Sequence, residues 1–207
     1  MRQLKLEHTS ITKIAGICGI LIPVVVFTSI GLALLHSPWF DWTYHALSDL
    51  GIDDATAPLF NTGMILGGFL LFIFSIGMMK ILSCKLGARI LCLSSLALIG
   101  IGLFPETIFT LHLIVSISFF VLLAISLLVI GLKTRQDPFE RNMGMLATIF
   151  AVVALSSTIF LIPLKGVAIP ESLACFPAFI WCMIYGVKMT VGQNHPFNFK
   201  ENQSLAT

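Results

Sequence analysis

Six apolar runs decide what this chain can fold into: Ile14–Leu35, Ala57–Met79, Ala88–Phe104, Phe109–Leu132, Met143–Pro163 and Glu171–Val191. Each is long enough, as a helix, to cross about 30 Å of hydrocarbon. None alternates with the period of two that a barrel strand shows, and lipid cannot satisfy open backbone N–H and C=O groups, so the runs predict helices. Charged residues make up 11% of the sequence and hydrophobic ones 57%, against roughly a quarter charged in a soluble domain. Too few polar groups exist to solvate a globule of this size. The fold class is therefore all-α: a polytopic transmembrane bundle of six helices, built as one membrane domain over residues 1–207.

The cations orient the bundle. Arg2, Lys5 and Lys13 precede the first run, Lys80, Lys85 and Arg89 surround the second connection, and Lys133, Arg135 and Arg141 surround the fourth. Lys188 and Lys200 follow the last run, which leaves Lys165 alone on the other side. The positive-inside rule then predicts a multi-pass protein of the cell membrane with both termini cytoplasmic. A net charge of +2 gives no reason to invoke nucleic acid. The basic start followed by an apolar run resembles a signal peptide, but no small-x-small cleavage site ends it, so it is expected to be retained as helix 1. Cys18, Cys84, Cys92, Cys175 and Cys182 form no CxxC pair and are expected to be small packing residues rather than disulfides or metal ligands.

Tight connections at 80–87 and 105–108 force the second, third and fourth helices into antiparallel neighbours. Gly63, Gly67 and Gly68 give helix 2 a face of small residues, and Gly100 with Gly102 thins the outer half of helix 3, as close helix packing in lipid requires. Such faces also suit a homo-oligomer.

The stretch from Trp39 to Asn61 holds four aspartates and a histidine with no Lys or Arg. Ser37 as N-cap, Pro38 in the first turn and Gly51 as a left-handed stop predict a short interfacial helix over 38–50. On it Asp41, His45, Ser48 and Asp49 would share one face, and Trp39, Trp42, Ala46 and Leu50 the opposite one. No cofactor is otherwise implied, but the i, i+4, i+8 stripe of Asp41, His45 and Asp49 could hold a divalent metal, or let a carboxylate orient His45 as a base. It could equally be a solvated face. Asn61, Glu106, His112 with Ser116 one turn below, and Glu171 fall at the same expected depth, where polar groups cost free energy unless paired.

The run His45-Ala46-Leu47-Ser48-Asp49-Leu50-Gly51, the Phe60-Asn61 pair, the turn Gly102-Leu103-Phe104-Pro105-Glu106 and His112 together resemble the membrane family filed as domain of unknown function 998. The similarity covers about five of the six helices. More distantly, the loop and Asn61 are similar to the DRAM, Frag and Sfk-type membrane proteins, some of which are implicated in lipid remodelling or lipid asymmetry. The resemblance implies a shared architecture and an outer-leaflet pocket.

Two functions compete on these residues. One is a lipid-binding or lipid-handling protein whose pocket is formed by His45, Ser48, Asp49, Asn61, Glu106 and His112, with a membrane lipid as partner. The other is an intramembrane hydrolase or transferase, with or without a metal, with His45 or His112 as base and Ser48 as nucleophile. A transporter is less well supported, because no Asp, Glu, Lys or Arg falls at mid-bilayer and no inverted repeat is visible. A scaffold subunit working through partners remains a further alternative.

Overall fold

The computed structural model describes residues 2–82, 85–133 and 138–191; Cys84, Arg135 and Lys200 lie outside them. Six helices carry the chain: α1 Arg2–Leu35, α2 Ala57–Ile81, α3 Lys85–Leu103, α4 Phe109–Lys133, α5 Pro138–Ser156 and α6 Ala168–Val191. Short 3-10 turns occur at Leu47–Gly51, Glu106–Ile108 and Ser157–Leu161, and the described residues include no strand. All six helices are long and apolar enough to cross a membrane. The chain is a multi-pass integral membrane protein.

The helices overrun their apolar runs at half of their ends, because a polar terminal turn keeps its backbone bonds even where its side chains leave lipid. At Leu35 the ring of His36 reaches back to the Leu32 carbonyl at 2.8 Å, and Pro38 cannot continue the helix. Pro58 falls in the first turn of α2, where its missing N–H costs nothing. Pro105 separates α3 from α4. The fifth run is shorter as α-helix than its hydropathy implies: α5 stops at Ser156 and tightens into the 3-10 turn.

The helices pack as a ring in chain order, and α6 closes it against α1. The expected α2–α3 and α3–α4 pairings are present. Hydroxyls stitch the ring inside lipid, Ser94 donating to the Phe119 carbonyl at 3.1 Å and Ser126 to the Gly87 carbonyl at 2.9 Å, where water cannot compete for either group. Gly63 and Gly67 of α2 lie against Ser29 and Val26 of α1, while Leu66, Phe69 and Ile73 face outward. The glycine face serves helix packing within the chain. The α5–α6 seam is the most sparsely packed of the neighbouring pairs.

The interfacial helix expected over 38–50 does not form. The buried Ser37 hydroxyl has no hydrogen-bond partner among the described residues, so it caps nothing. Asp41 spends its carboxylate on the amide and hydroxyl of Thr43, at 2.7 and 2.6 Å, the local alternative that Asp offers a helical backbone. The carbonyls of Thr43 and His45, which a helix would give to residues four further on, instead accept N–H groups from the α5–α6 connection: Lys165 and Gly166 bond to Thr43 at 3.1 and 2.9 Å, and Val167 and Ala168 bond to His45 at 3.1 and 2.9 Å. Only Leu47–Gly51 coils, as a 3-10 turn. Gly51 does not take the left-handed conformation. It is small for a different reason: a Cβ there would stand 2.6 Å from the Asn61 side-chain oxygen.

Candidate functional site

Three connections converge at one end of the bundle. The 38–51 segment, the turn after α3 and the start of α6 each bring a carboxyl group there. Leu47 opens the 3-10 turn, and its amide donates to Glu171 Oε2 at 2.7 Å. One residue on, the Ser48 hydroxyl donates to Glu106 Oε2 at 3.4 Å. Asp49 turns back to accept the Ala46 amide at 3.1 Å, the backward half of a capping box. The carboxyl groups of Asp49, Glu106 and Glu171 lie within electrostatic reach of one another. Ser48 is buried.

His112 stands beside this group and within electrostatic reach of Glu106. Its position follows from the break at Pro105: α3 ends with the Phe104 carbonyl unclaimed by a helical amide, and His112, in the first turns of α4, donates Nδ1–H to it at 2.8 Å. That bond fixes the tautomer, since a carbonyl can only accept. Nε2 is left as the acceptor, and the Ser116 hydroxyl lies 3.2 Å from it.

Two cavities meet at these residues. An inner one of about 40 Å³ sits beneath the 3-10 turn, among Leu47, Ser48, Met64, Ser116, Glu171 and Cys175. A lateral cleft of about 390 Å³ lies between α4, the end of α5 and the start of α6, lined by Ile117, Ala154, Ser157 and Ala174 among others. Ser116, Phe120 and Glu171 line both. The cleft is apolar apart from these two polar side chains and the hydroxyls of Ser157 and Thr158. Its mouth is on the outward surface, where Leu113, Ile117 and Val121 are exposed.

The sequence-derived site residues divide on this geometry. Ser48, Asp49, Glu106 and His112 come together. His45 does not join them: Nδ1 accepts the Asp41 amide at 3.0 Å, and the ring stacks on Phe40 at 5.6 Å and meets the edge of Trp39 at 5.2 Å. Asn61 holds the end of the 38–51 segment, donating to the Gly51 carbonyl at 3.1 Å, and lines neither cavity. The Asp41, His45, Asp49 stripe depended on a helix that is not there. Asp41 is exposed, and Thr43's hydroxyl and amide hold its carboxyl below the usual carboxylate range. Among the described residues no group of three or more His, Cys, Asp and Glu side chains is arranged to hold a metal ion.

Sequence reasoning placed Ser116 and Glu171 at this depth without giving either a part in the pocket. The i, i+4 spacing from His112 to Ser116 was the available signal for the first. For Glu171 the signal was an acid in the first turn of an apolar helix. Nothing local announced the cleft, which exists because small residues on α5 and α6 face Phe120 across a loose seam.

Residues 17–188 match the model of a protein family described as Protein of unknown function (DUF998). No curated protein and no solved structure matches the chain.

Proposed function

The chain belongs to the DUF998 family, and from that premise we propose that it binds a membrane lipid, one chain in the cleft between α4, α5 and α6 and the polar end at Ser116 and Glu171. The cleft carries this reading. Its volume of about 390 Å³ falls in the range of roughly 300–1,000 Å³ typical of ligand pockets, its walls are apolar, and its mouth faces the hydrocarbon from which an acyl chain would enter. Burying a chain there costs little desolvation, and the two polar side chains at its inner end offer the headgroup region hydrogen-bonding partners that lipid tails lack.

Filling the cleft tests it. Ile117→Trp at the mouth and Ala174→Phe at the wall should each lower the lipid retained by gently solubilised protein at least tenfold in native mass spectrometry, with the folded fraction unchanged for Ile117→Trp. Retention at the wild-type level in both variants would end the proposal.

The same reading puts the carboxylate end of the bundle on the extracytoplasmic side of the cell membrane, with both termini cytoplasmic. The support is the distribution of Lys and Arg, only Lys165 among the described residues falling at this end, where its ammonium stands 5.0 Å over the Tyr44 ring. A single cysteine at Asp54, in a chain whose native cysteines are replaced by serine or alanine, should react with a membrane-impermeant maleimide on intact cells. Reaction only after permeabilisation would reverse the orientation.

A further inference from the structure

We propose that Ser116 and His112 are a nucleophile and general base that cleave the ester bond of a lipid lying in the cleft, an inference that rests on the cleft being a lipid site.

The first observation is where the Ser116 hydroxyl points. Serine and threonine inside a helix ordinarily give the hydroxyl to the carbonyl one turn back, as Ser75 does to Leu71 at 2.6 Å, Ser172 to Ala168 at 2.7 Å and Thr190 to Gly186 at 2.8 Å. Ser116 instead meets His112 Nε2 at 3.2 Å. The second is that the imidazole is oriented from behind. Its Nδ1–H is committed to the Phe104 carbonyl, so the bare Nε2 faces the serine. Nucleophile, base and orienting acceptor thus stand in line, the arrangement that activates a hydroxyl. A backbone carbonyl fills the orienting position.

The third observation is access. His112 is 7% exposed, shielded from bulk water, while Ser116 lines both the cleft and the inner cavity. An acyl chain in the cleft would bring its ester carbonyl to the place where the two cavities join. The Ser48 hydroxyl lines the inner cavity and is held to Glu106 only at 3.4 Å, long for an O–H···O bond, whose usual length is about 2.7–2.8 Å. It is the donor free to turn toward a developing oxyanion.

Ser116 Oγ adds to the ester carbonyl carbon, its proton passes to His112 Nε2, and the C=O π pair moves to the carbonyl oxygen. Collapse re-forms the C=O bond and expels the alcohol portion of the lipid as an alkoxide, which takes the proton from His112. Water, the second substrate, then adds to the acyl-serine and gives a proton to His112. Expulsion of Ser116 Oγ, which takes that proton back, releases a carboxylic acid. Ester and water become acid and alcohol, with no change of oxidation state. The inner cavity, at about 40 Å³, is large enough for the water this step needs.

The test uses the full chain in nanodiscs, a long-chain alkyl fluorophosphonate and 4-nitrophenyl decanoate. The wild type should be labelled at Ser116, located by peptide mass spectrometry, and should hydrolyse the ester. Ser116→Ala should lose both with the folded fraction unchanged. His112→Gln should cut turnover by roughly 10²–10⁴-fold and slow fluorophosphonate labelling of Ser116 in parallel. Wild-type protein that carries lipid but is neither labelled at Ser116 nor active overturns the catalytic pair and leaves lipid binding standing; His112 is then the cap of α3 alone. Protein labelled at Ser116, with turnover unaffected by Ile117→Trp and no lipid retained, supports the pair and removes the cleft as its lipid site.

Discussion

Replacing Gly186 with alanine should lower the thermal midpoint of detergent-solubilised protein by roughly 2–12 °C, as about 1–3 kcal/mol of overpacking does in a chain of this size. The cause is backbone against backbone. A Cβ on Gly186 would stand 2.5 Å from the Gly16 carbonyl oxygen and 2.9 Å from the Ile20 amide nitrogen, and neither can rotate away as a side chain could. Because this crossing is where α6 closes the ring on α1, relief requires the helices to separate. The matched control is Gly31→Ala, in α1, where an added Cβ meets nothing within 4 Å. That change should be neutral or stabilising by about 0.5–1 kcal/mol, the helix-propensity gain of alanine over glycine. Equal shifts in the two variants would show that the α1–α6 crossing is not held by backbone contact.

The contrast between Gly31 and Gly186 also marks how far the fold is legible in the sequence. The six helices are written in the length of the apolar runs, and the α2–α3 and α3–α4 pairings in the tight connections between them. Ring closure is not written there. Gly16 and Gly186 are separated by almost the whole chain, and neither falls in a pattern that sets it apart from Gly31. The 38–50 segment fails for a related reason. Ser37, Pro38 and Gly51 obey local start and stop rules, but the amides of residues 165–168 claim the Thr43 and His45 carbonyls, and a local reading cannot see an acceptor taken from more than a hundred residues away. Gly166 permits that approach, since a Cβ there would run into the backbone of Tyr44 and His45.

The site was legible as a depth rather than as a shape. Polar residues at helix ends had to share a layer, so Ser48, Asp49, Glu106 and His112 could be grouped before any contact was known. Membership within the layer then depended on contacts that hydropathy does not encode: the rings of Trp39 and Phe40 hold His45 aside, the Gly51 carbonyl takes Asn61, and the Leu47 amide recruits Glu171. A depth argument also cannot see space. The cleft is a deficit of side-chain volume at Ala154, Ser157 and Ala174, and small residues at such positions read equally well as tight packing.

Glu171→Leu should speed hydrogen exchange at the Leu47 amide by roughly 5- to 150-fold, the equivalent of about 1–3 kcal/mol for a buried donor left without an acceptor. Leu47 is buried, and its amide has the Glu171 carboxylate at 2.7 Å, so loss of the carboxylate strands it beneath the 38–51 segment. Glu171→Gln separates this role from charge. Its side-chain oxygen can still accept the Leu47 amide, so exchange at Leu47 should stay within a fewfold of wild type. If the carboxylate mattered through its charge, the two substitutions would behave alike, because both remove it. The predicted order, with Gln close to wild type and Leu far from it, therefore identifies Glu171 as the acceptor that fastens the 38–51 segment to α6 over the two cavities. Thr43 amide exchange, governed by the Asp41 side chain, should be unchanged in both variants, which confines the effect to the part of the segment above the cavities.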